Sequence, residues 1–190
     1  MVLPDDFRFE LPLLETERLI LRRLVPEDAD EVFAYASDPE VASWTTWEAH
    51  RTLDDSRDYL ERVMSWYADG FGGPWGLELK STGQLIGTCG MALTPQHARA
   101  ELGYAVGRAW WGQGLMTEAV VEAIRYGFEE LRLNRIEARC IPSNIGSARV
   151  MEKAGMTYEG TIREQIFVKG SFDDLRLYSI LRREWLASRR

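Results

Sequence analysis

Cysteine and histidine are nearly missing from this chain: its 190 residues carry two of each. Cys89 and Cys140 lie far apart, which excludes a disulfide framework and a paired-cysteine metal motif. Each belongs to an apolar, strand-like run, where a buried structural thiol is expected. His50 and His97 lack the Cys or Asp/Glu spacing of a metal site, so no metal is expected. No apolar run approaches the roughly 20 residues needed to cross a bilayer. The first residues lack the basic start and apolar centre of a secretory signal, so a cytoplasmic protein without a membrane partner is expected. A basic surplus is absent too, since 23 Lys and Arg face 30 Asp and Glu for a formal charge of −7. Nucleic-acid binding needs concentrated cations to displace counterions, and no such partner is expected.

What remains is an ordinary globular composition, 45% apolar and 28% charged, without repeats or low-complexity linkers. Its length suits one domain over residues 1–190. Alternating apolar and basic residues predict a strand over Arg18 to Leu24. Pro26 and the acids behind it open a helix reaching about Ser37. Thr52 caps a second helix, Leu53 to Tyr67, with Leu60, Val63 and Met64 on its apolar side. Trp75 to Leu79 and Gln84 to Leu93 read as a hairpin around Ser81–Gly83. Arg99 to Val106 is the next strand and Leu115 to Leu131 a long helix. Arg135 to Ile141 is a strand stopped by Pro142, and Ile145 to Ala154 a short helix closed by Gly155. Met156 to Val168 and Phe172 to Leu181 form a last hairpin with Lys169 and Gly170 at its tip. Strands in series, then strand and helix by turns, imply a mixed α/β sandwich rather than a doubly wound sheet.

The chemistry concentrates where the strand ending at Val106 runs through Gly107, Trp110, Trp111, Gly112, Gln113 and Gly114 into Leu115, Met116 and Thr117. Strand, glycine-rich turn and helix start gather backbone N–H groups that have no partner within the helix, and the helix dipole favours an anion there. A phosphate-bearing cofactor is the leading reading. Gly107 and Gly112 have P-loop spacing, but Gln113 and Gly114 stand where Lys and Ser/Thr are required. Gly112 and Gly114 fit the start of G-x-G-x-x-G, but Thr117 occupies the third glycine.

Trp111-Gly-Gln-Gly-Leu-Met116 resembles motif A of the GNAT acyltransferases, usually R/Q-x-x-G-x-G/A. Trp111 and Met116 depart from that pattern, and both departures resemble the RimJ/RimL branch of ribosomal-protein N-acetyltransferases. The similarity spans about 14–185. It includes Thr16 to Arg22, Asn134 to Ala138, Asn144-x-x-Ser147, Glu152 to Gly155, Glu159 to Glu164, Lys169 to Asp174, Tyr178, and Glu184-Trp185. It implies an α+β fold whose central, mostly antiparallel sheet splays to admit a pantetheine arm. It also implies acetyl-CoA as cosubstrate and transfer of its acetyl group to a primary amine. A protein N-terminal α-amine leads. A small-molecule amine, or a non-catalytic acyl-CoA-binding module, are the alternatives, as monomer or homodimer.

The resemblance assigns roles residue by residue. Amides from Trp111 to Thr117 would hold the diphosphate, and the strand edge Tyr104, Ala105 and Val106 would pair with pantetheine. Asn144 would contact the pantetheine arm or simply cap its helix. Arg149 and Lys153, four apart, would meet the adenosine phosphate or form a solvated ridge. An α-amine, with a pKa of about 8, needs only modest base help, whereas a lysine near 10.4 is almost wholly charged. Glu101 is the candidate base; its other reading is a strand carboxylate paired with Arg99 or Arg139, and Glu164 and Asp174 are reserves. The Val106 N–H is the candidate oxyanion donor. Many GNAT enzymes carry a tyrosine seven residues after the asparagine, but Met151 stands there, and Ser147 is the candidate substitute for protonating the thiolate. Trp44 and Trp47 would line the acceptor cleft or pack between helices. The acidic balance suits a cationic acceptor by steering.

Overall fold

The computed structural model describes residues 9–70 and 72–189. The residues read above for the missing secretory signal lie before them. Eight strands form one sheet: β1 (Leu14–Glu15), β2 (Leu19–Arg23), β3 (Gly72–Leu79), β4 (Leu85–Thr94), β5 (Arg99–Val106), β6 (Arg135–Cys140), β7 (Thr157–Val168) and β8 (Ser171–Leu181). They lie in the order β1-β2-β3-β4-β5-β6-β8-β7. Every neighbouring pair is antiparallel except β5 and β6. The parallel pair needs a crossover, which α4 (Leu115–Glu129) supplies.

α1 (Ala29–Ala36) follows a 3₁₀ turn at Pro26–Asp28 and packs with α3 (Leu53–Asp69). α3 starts on the predicted Thr52 cap, whose amide bonds to Asp55 at 2.9 Å, and stops at Gly70 in the left-handed conformation. α4 packs on β4 and β5 and against α5 (Ile145–Lys153). Its contact is close because Gly127 lies under Ile136: a Cβ there would come within 2.7 Å of Ile136 Cδ1. Leu19, Leu21, Val63, Trp75, Ile124, Phe128 and Leu133 are among the side chains sealed inside. Each contributes roughly 1.5–3 kcal/mol by leaving water.

Three elements were not foreseen: β1, a five-residue helix α2 (Pro39–Ser43), and α6 (Arg182–Ala187). Asp38 caps α2 by accepting from the Glu40 N–H at 2.9 Å, so the start signal was written in the sequence. The element is too short to show an apolar period.

The feature that positions the site is a splay. β5 pairs with β6 only from Arg99↔Arg135 to Leu102↔Ala138. Beyond that β5 keeps to β4 as far as Val106↔Gly87, while β6 keeps to β8 as far as Cys140↔Arg176. Gly87 holds the first of these pairs close, since a Cβ there would lie 2.3 Å from the Ala105 carbonyl oxygen. Between the two strands a gap opens at the carboxyl end of β5.

Candidate active site

The backbone of β5 at that gap can be read from its register. Gly107 N–H donates to the Ile86 carbonyl at 2.9 Å, so residues 86 and 107 form a hydrogen-bonded pair and residues 87 and 106 do not. The Val106 amide therefore points away from β4, into the gap that β6 has left. Its carbonyl points the same way and accepts from Trp111 Nε1 at 2.8 Å. This strand edge is free for an extended ligand, with one carbonyl already satisfied.

The turn after it is held from several directions. Gly112 and Gly114 have φ of +74° and +79°, the left-handed region in which glycine alone is unstrained. Gln113 Nε2 donates to the Ala109 carbonyl at 2.9 Å. Arg18, from β1–β2, donates to the Gln113 carbonyl at 3.0 Å and pairs with Glu118 at 2.7 Å. Thr16 also donates to Glu118. Partial burial works to raise the Glu118 carboxyl, but the bonds from Thr16 and Arg18 together hold it below its usual range. In α4 the Glu118 N–H bonds back to Gly114, so the amides of Leu115, Met116 and Thr117 precede the helical ladder and are free for an anion.

α5 forms the opposite wall. Asn144 is its N-cap, and its side-chain oxygen accepts from the Ser147 N–H at 2.9 Å. Capping is thus an observed role of Asn144, and the residue also lines the cavity. Arg149 and Lys153 are exposed on the cavity rim. Met151 is fully buried in the core, so the position seven residues after the asparagine turns away from the gap.

These parts enclose one cavity of about 600 Å³. Its walls include Tyr104, Ala105 and Val106 of β5, Trp111, Gly112 and Gly114 through Thr117 of the turn, and Asn144 and Ser147 of α5. Trp44 and Thr45, just beyond α2, complete one end. Gln113, Trp47, Glu164 and Asp174 do not line it. Gln113 braces the turn by the bonds already given. Trp47 packs tilted on His50, with ring centres 5.7 Å apart. Asp174 accepts from the Glu164 N–H at 2.8 Å and so supports a bulge in β7, where Glu164 has a φ of +48°. It also borders a smaller, separate depression with Arg176 and Tyr178.

Glu101 alternates with Leu102 and Tyr104 along β5 and faces the other side of the sheet. Arg139, which lines the cavity, approaches its carboxylate at 3.6 Å. Arg139 also bonds Glu137 at 2.9 Å, and Arg99 and Arg135 converge on that buried carboxylate. Burial pushes the Glu101 carboxyl up, and the opposing pull of Arg139 is the smaller effect.

Sequence reasoning missed three features. One is the Arg18–Glu118 brace. The second is a contact of the Tyr104 hydroxyl with Ser147 Oγ at 2.9 Å. The third is Lys169, whose ammonium donates to the carbonyls of Ala42 at 2.5 Å and Thr45 at 3.0 Å. Both cysteines are buried, and burial raises the Cys89 thiol to about 12. Among the described residues no group of His, Cys, Asp and Glu is arranged to hold a metal, and no helix is long and apolar enough to cross a membrane.

A glycine turn feeding free amides into a cavity at a sheet splay defines an acyl-CoA transferase architecture, and the comparisons agree. The Acetyltransferase (GNAT) domain family matches residues 18–157. The uncharacterized N-acetyltransferase p20 of Bacillus licheniformis is 38% identical over 173 residues, covering 90% of this chain and 97% of that protein. The [ribosomal protein uS5]-alanine N-acetyltransferase of Escherichia coli K12 is 27% identical over 186 residues, covering 93% and 94%. A GNAT-family acetyltransferase of Bacillus anthracis superposes with a TM-score of 0.82 at 28% identity, covering 90% and 99%. The chain belongs to the GNAT acetyltransferase family. It is an acetyl-CoA-dependent N-acetyltransferase with the mixed α/β fold of that family.

Proposed function

We propose that the chain acetylates the N-terminal α-amine of a protein by direct attack within a ternary complex. One observation carries this reading: a single cavity is lined by the turn amides, the free edge of β5 and the first turn of α5. The diphosphate of acetyl-CoA binds the amides of residues 112–117, with Arg149 and Lys153 toward its adenosine phosphate. The pantetheine arm runs along Tyr104 to Val106, and Asn144 turns its amide group toward it.

The amine nitrogen attacks the thioester carbonyl, and the Val106 N–H stabilises the oxyanion. One preorganised donor of this kind is worth roughly 3 kcal/mol in other acyl transfers. Glu101 accepts the amine's proton through water. The carbon–sulfur bond then breaks, and the departing thiolate is met by Ser147. The thiol of coenzyme A has modest basicity, near a cysteine's pKa of about 8.5, so it leaves without a strong acid. Similarity to the E. coli uS5-alanine enzyme favours a protein N-terminus, and Trp44 at the cavity end supplies a flat apolar surface for its first side chains.

Thiol release from acetyl-CoA should require an amine, and peptides with free small N-terminal residues should turn over at least about tenfold faster, by kcat/KM, than their acetyl-blocked, lysine-bearing counterparts. Turnover confined to small amines would replace the protein acceptor. Binding without turnover on any amine would leave a coenzyme-binding module. Gly114→Val tests the turn itself: valine at this φ is strained by roughly 1–2 kcal/mol, and acetyl-CoA affinity should fall by more than about tenfold in calorimetry. Unchanged affinity would rule out this diphosphate site.

A further inference from the structure

We propose that Tyr104 is a positioning residue for the leaving group: its hydroxyl donates to Ser147 Oγ and turns the serine O–H toward the sulfur of coenzyme A. The inference rests on the acetyl-transfer reading and deepens it by adding a second hydroxyl from a different strand.

The Tyr104 hydroxyl lies 2.9 Å from Ser147 Oγ and 3.2 Å from the Ser147 carbonyl oxygen. That carbonyl belongs to α5 and faces the amide of Met151, one helical turn on. The shorter bond is the one to the hydroxyl, which also meets the Cys140 side chain at the cavity wall. A phenol has one proton to give. Given to Ser147 Oγ, it leaves the serine's own proton for a third atom, the Cys140 sulfur in the free protein and the sulfur of coenzyme A when that enters the cavity all three residues line. Burial pushes the Tyr104 phenol well above its ordinary value, so it stays a donor at neutral pH. Cys89, Cys140 and Tyr178 surround it, and burial raises all three; the charges of Glu152 and Arg176 act on Cys140 and Tyr178. Position 151 cannot supply a phenol, because its side chain is sealed in the core. The phenol on β5 reaches the same helix from the opposite wall.

In the transfer step the C–N bond forms, the C–S bond breaks, and the electron pair leaves on sulfur. The serine hydroxyl donates a hydrogen bond to that thiolate. The proton the thiolate finally takes is the one the amine nitrogen lost, so tyrosine and serine end unchanged.

The thiol of bound coenzyme A reports this arrangement without any amine. Its titration is followed by thiolate ultraviolet absorbance, referenced to the complex with desulfo-coenzyme A. In the intact protein it should titrate about one unit below the free thiol, the shift expected of one hydrogen bond to a charged acceptor. Ser147→Ala should restore the free value, and Tyr104→Phe should recover at least about half of the shift. The double variant should match Ser147→Ala, because the phenol acts only through the serine. An unchanged far-ultraviolet dichroism spectrum and saturable coenzyme binding across the set separate this from a collapsed site. An unmoved thiol in Tyr104→Phe overturns the proposal, as does a double variant that goes beyond Ser147→Ala. No binding to the intact protein would overturn the acetyl-transfer reading along with it, whereas normal binding and an unmoved thiol would overturn this one alone.

Discussion

Glu101 sits between two opposing influences, burial that raises its carboxyl and a guanidinium 3.6 Å away that lowers it. Burial prevails, which moves the carboxyl toward the range where a general base is useful. As the base, Glu101 must be ionised, so kcat/KM should rise with pH through a limb above the ordinary glutamate value of about 4.3. Glu101→Gln should remove that limb and lower the plateau by about one to two orders of magnitude, within the usual range for a general base. A variant that keeps both limb and rate would reassign Glu101 to the arginine cluster alone. At this scale the glycines of the turn were legible in the sequence, because a left-handed φ and a helix start are local demands. Tyr104 was legible only as part of the strand edge that family resemblance would pair with pantetheine, with no role for its hydroxyl. Its bond to Ser147 joins positions 43 apart, and only the closing of α5 over β5 brings them together.

At the scale of elements, the splay depends on β6 staying with β8 while β5 stays with β4. Arg135 and Glu159 strengthen the first partnership: Arg135 bonds Glu159 at 2.6 Å and Glu137 at 2.8 Å, linking β6 to the last hairpin. Arg135 and the Ser179 hydroxyl hold the Glu159 carboxyl down to about 2. A depressed carboxyl stabilises the fold above its unfolded pKa and loses that contribution as pH falls through the folded one. The advantage of the intact protein over Glu159→Gln should therefore be full above about pH 5 and vanish near pH 2. The side chain is 37% exposed, so screening reduces the contribution to roughly 1 kcal/mol, a melting-temperature difference of about 2–4 °C. A gap that does not change across this range would mean the ion pair does not hold the hairpin. The long elements could be read from apolar periodicity, as α3, α4 and the final hairpin were. β1 and α6 were missed because two and six residues carry too little pattern, and the splay was anticipated only through family resemblance.

For the molecule as a whole, the two sides of the cavity are held by different means. The coenzyme side is almost local, apart from the brace that Arg18 extends to Gln113 and Glu118. The far end, with Trp44 and Thr45, is tied to the tip of the last hairpin by the Lys169 ammonium. Lys169→Met should raise KM for the amine at least about threefold while acetyl-CoA affinity stays within about twofold. Equal losses on both would show that the tie supports the entire fold. Neither tie could be read from the sequence, because they join positions 100 and 127 apart and depend on strand order rather than on any motif.

The lysine tie bears on how the enzyme matures during synthesis. The amino-terminal brace, the glycine turn and α4 have all emerged long before residue 169. Yet the β6–β8 partnership that opens the gap and the fastener at the rim around Trp44 both wait for residues 169–181, so the capacities to hold coenzyme and to select an amine are completed together by the last hairpin.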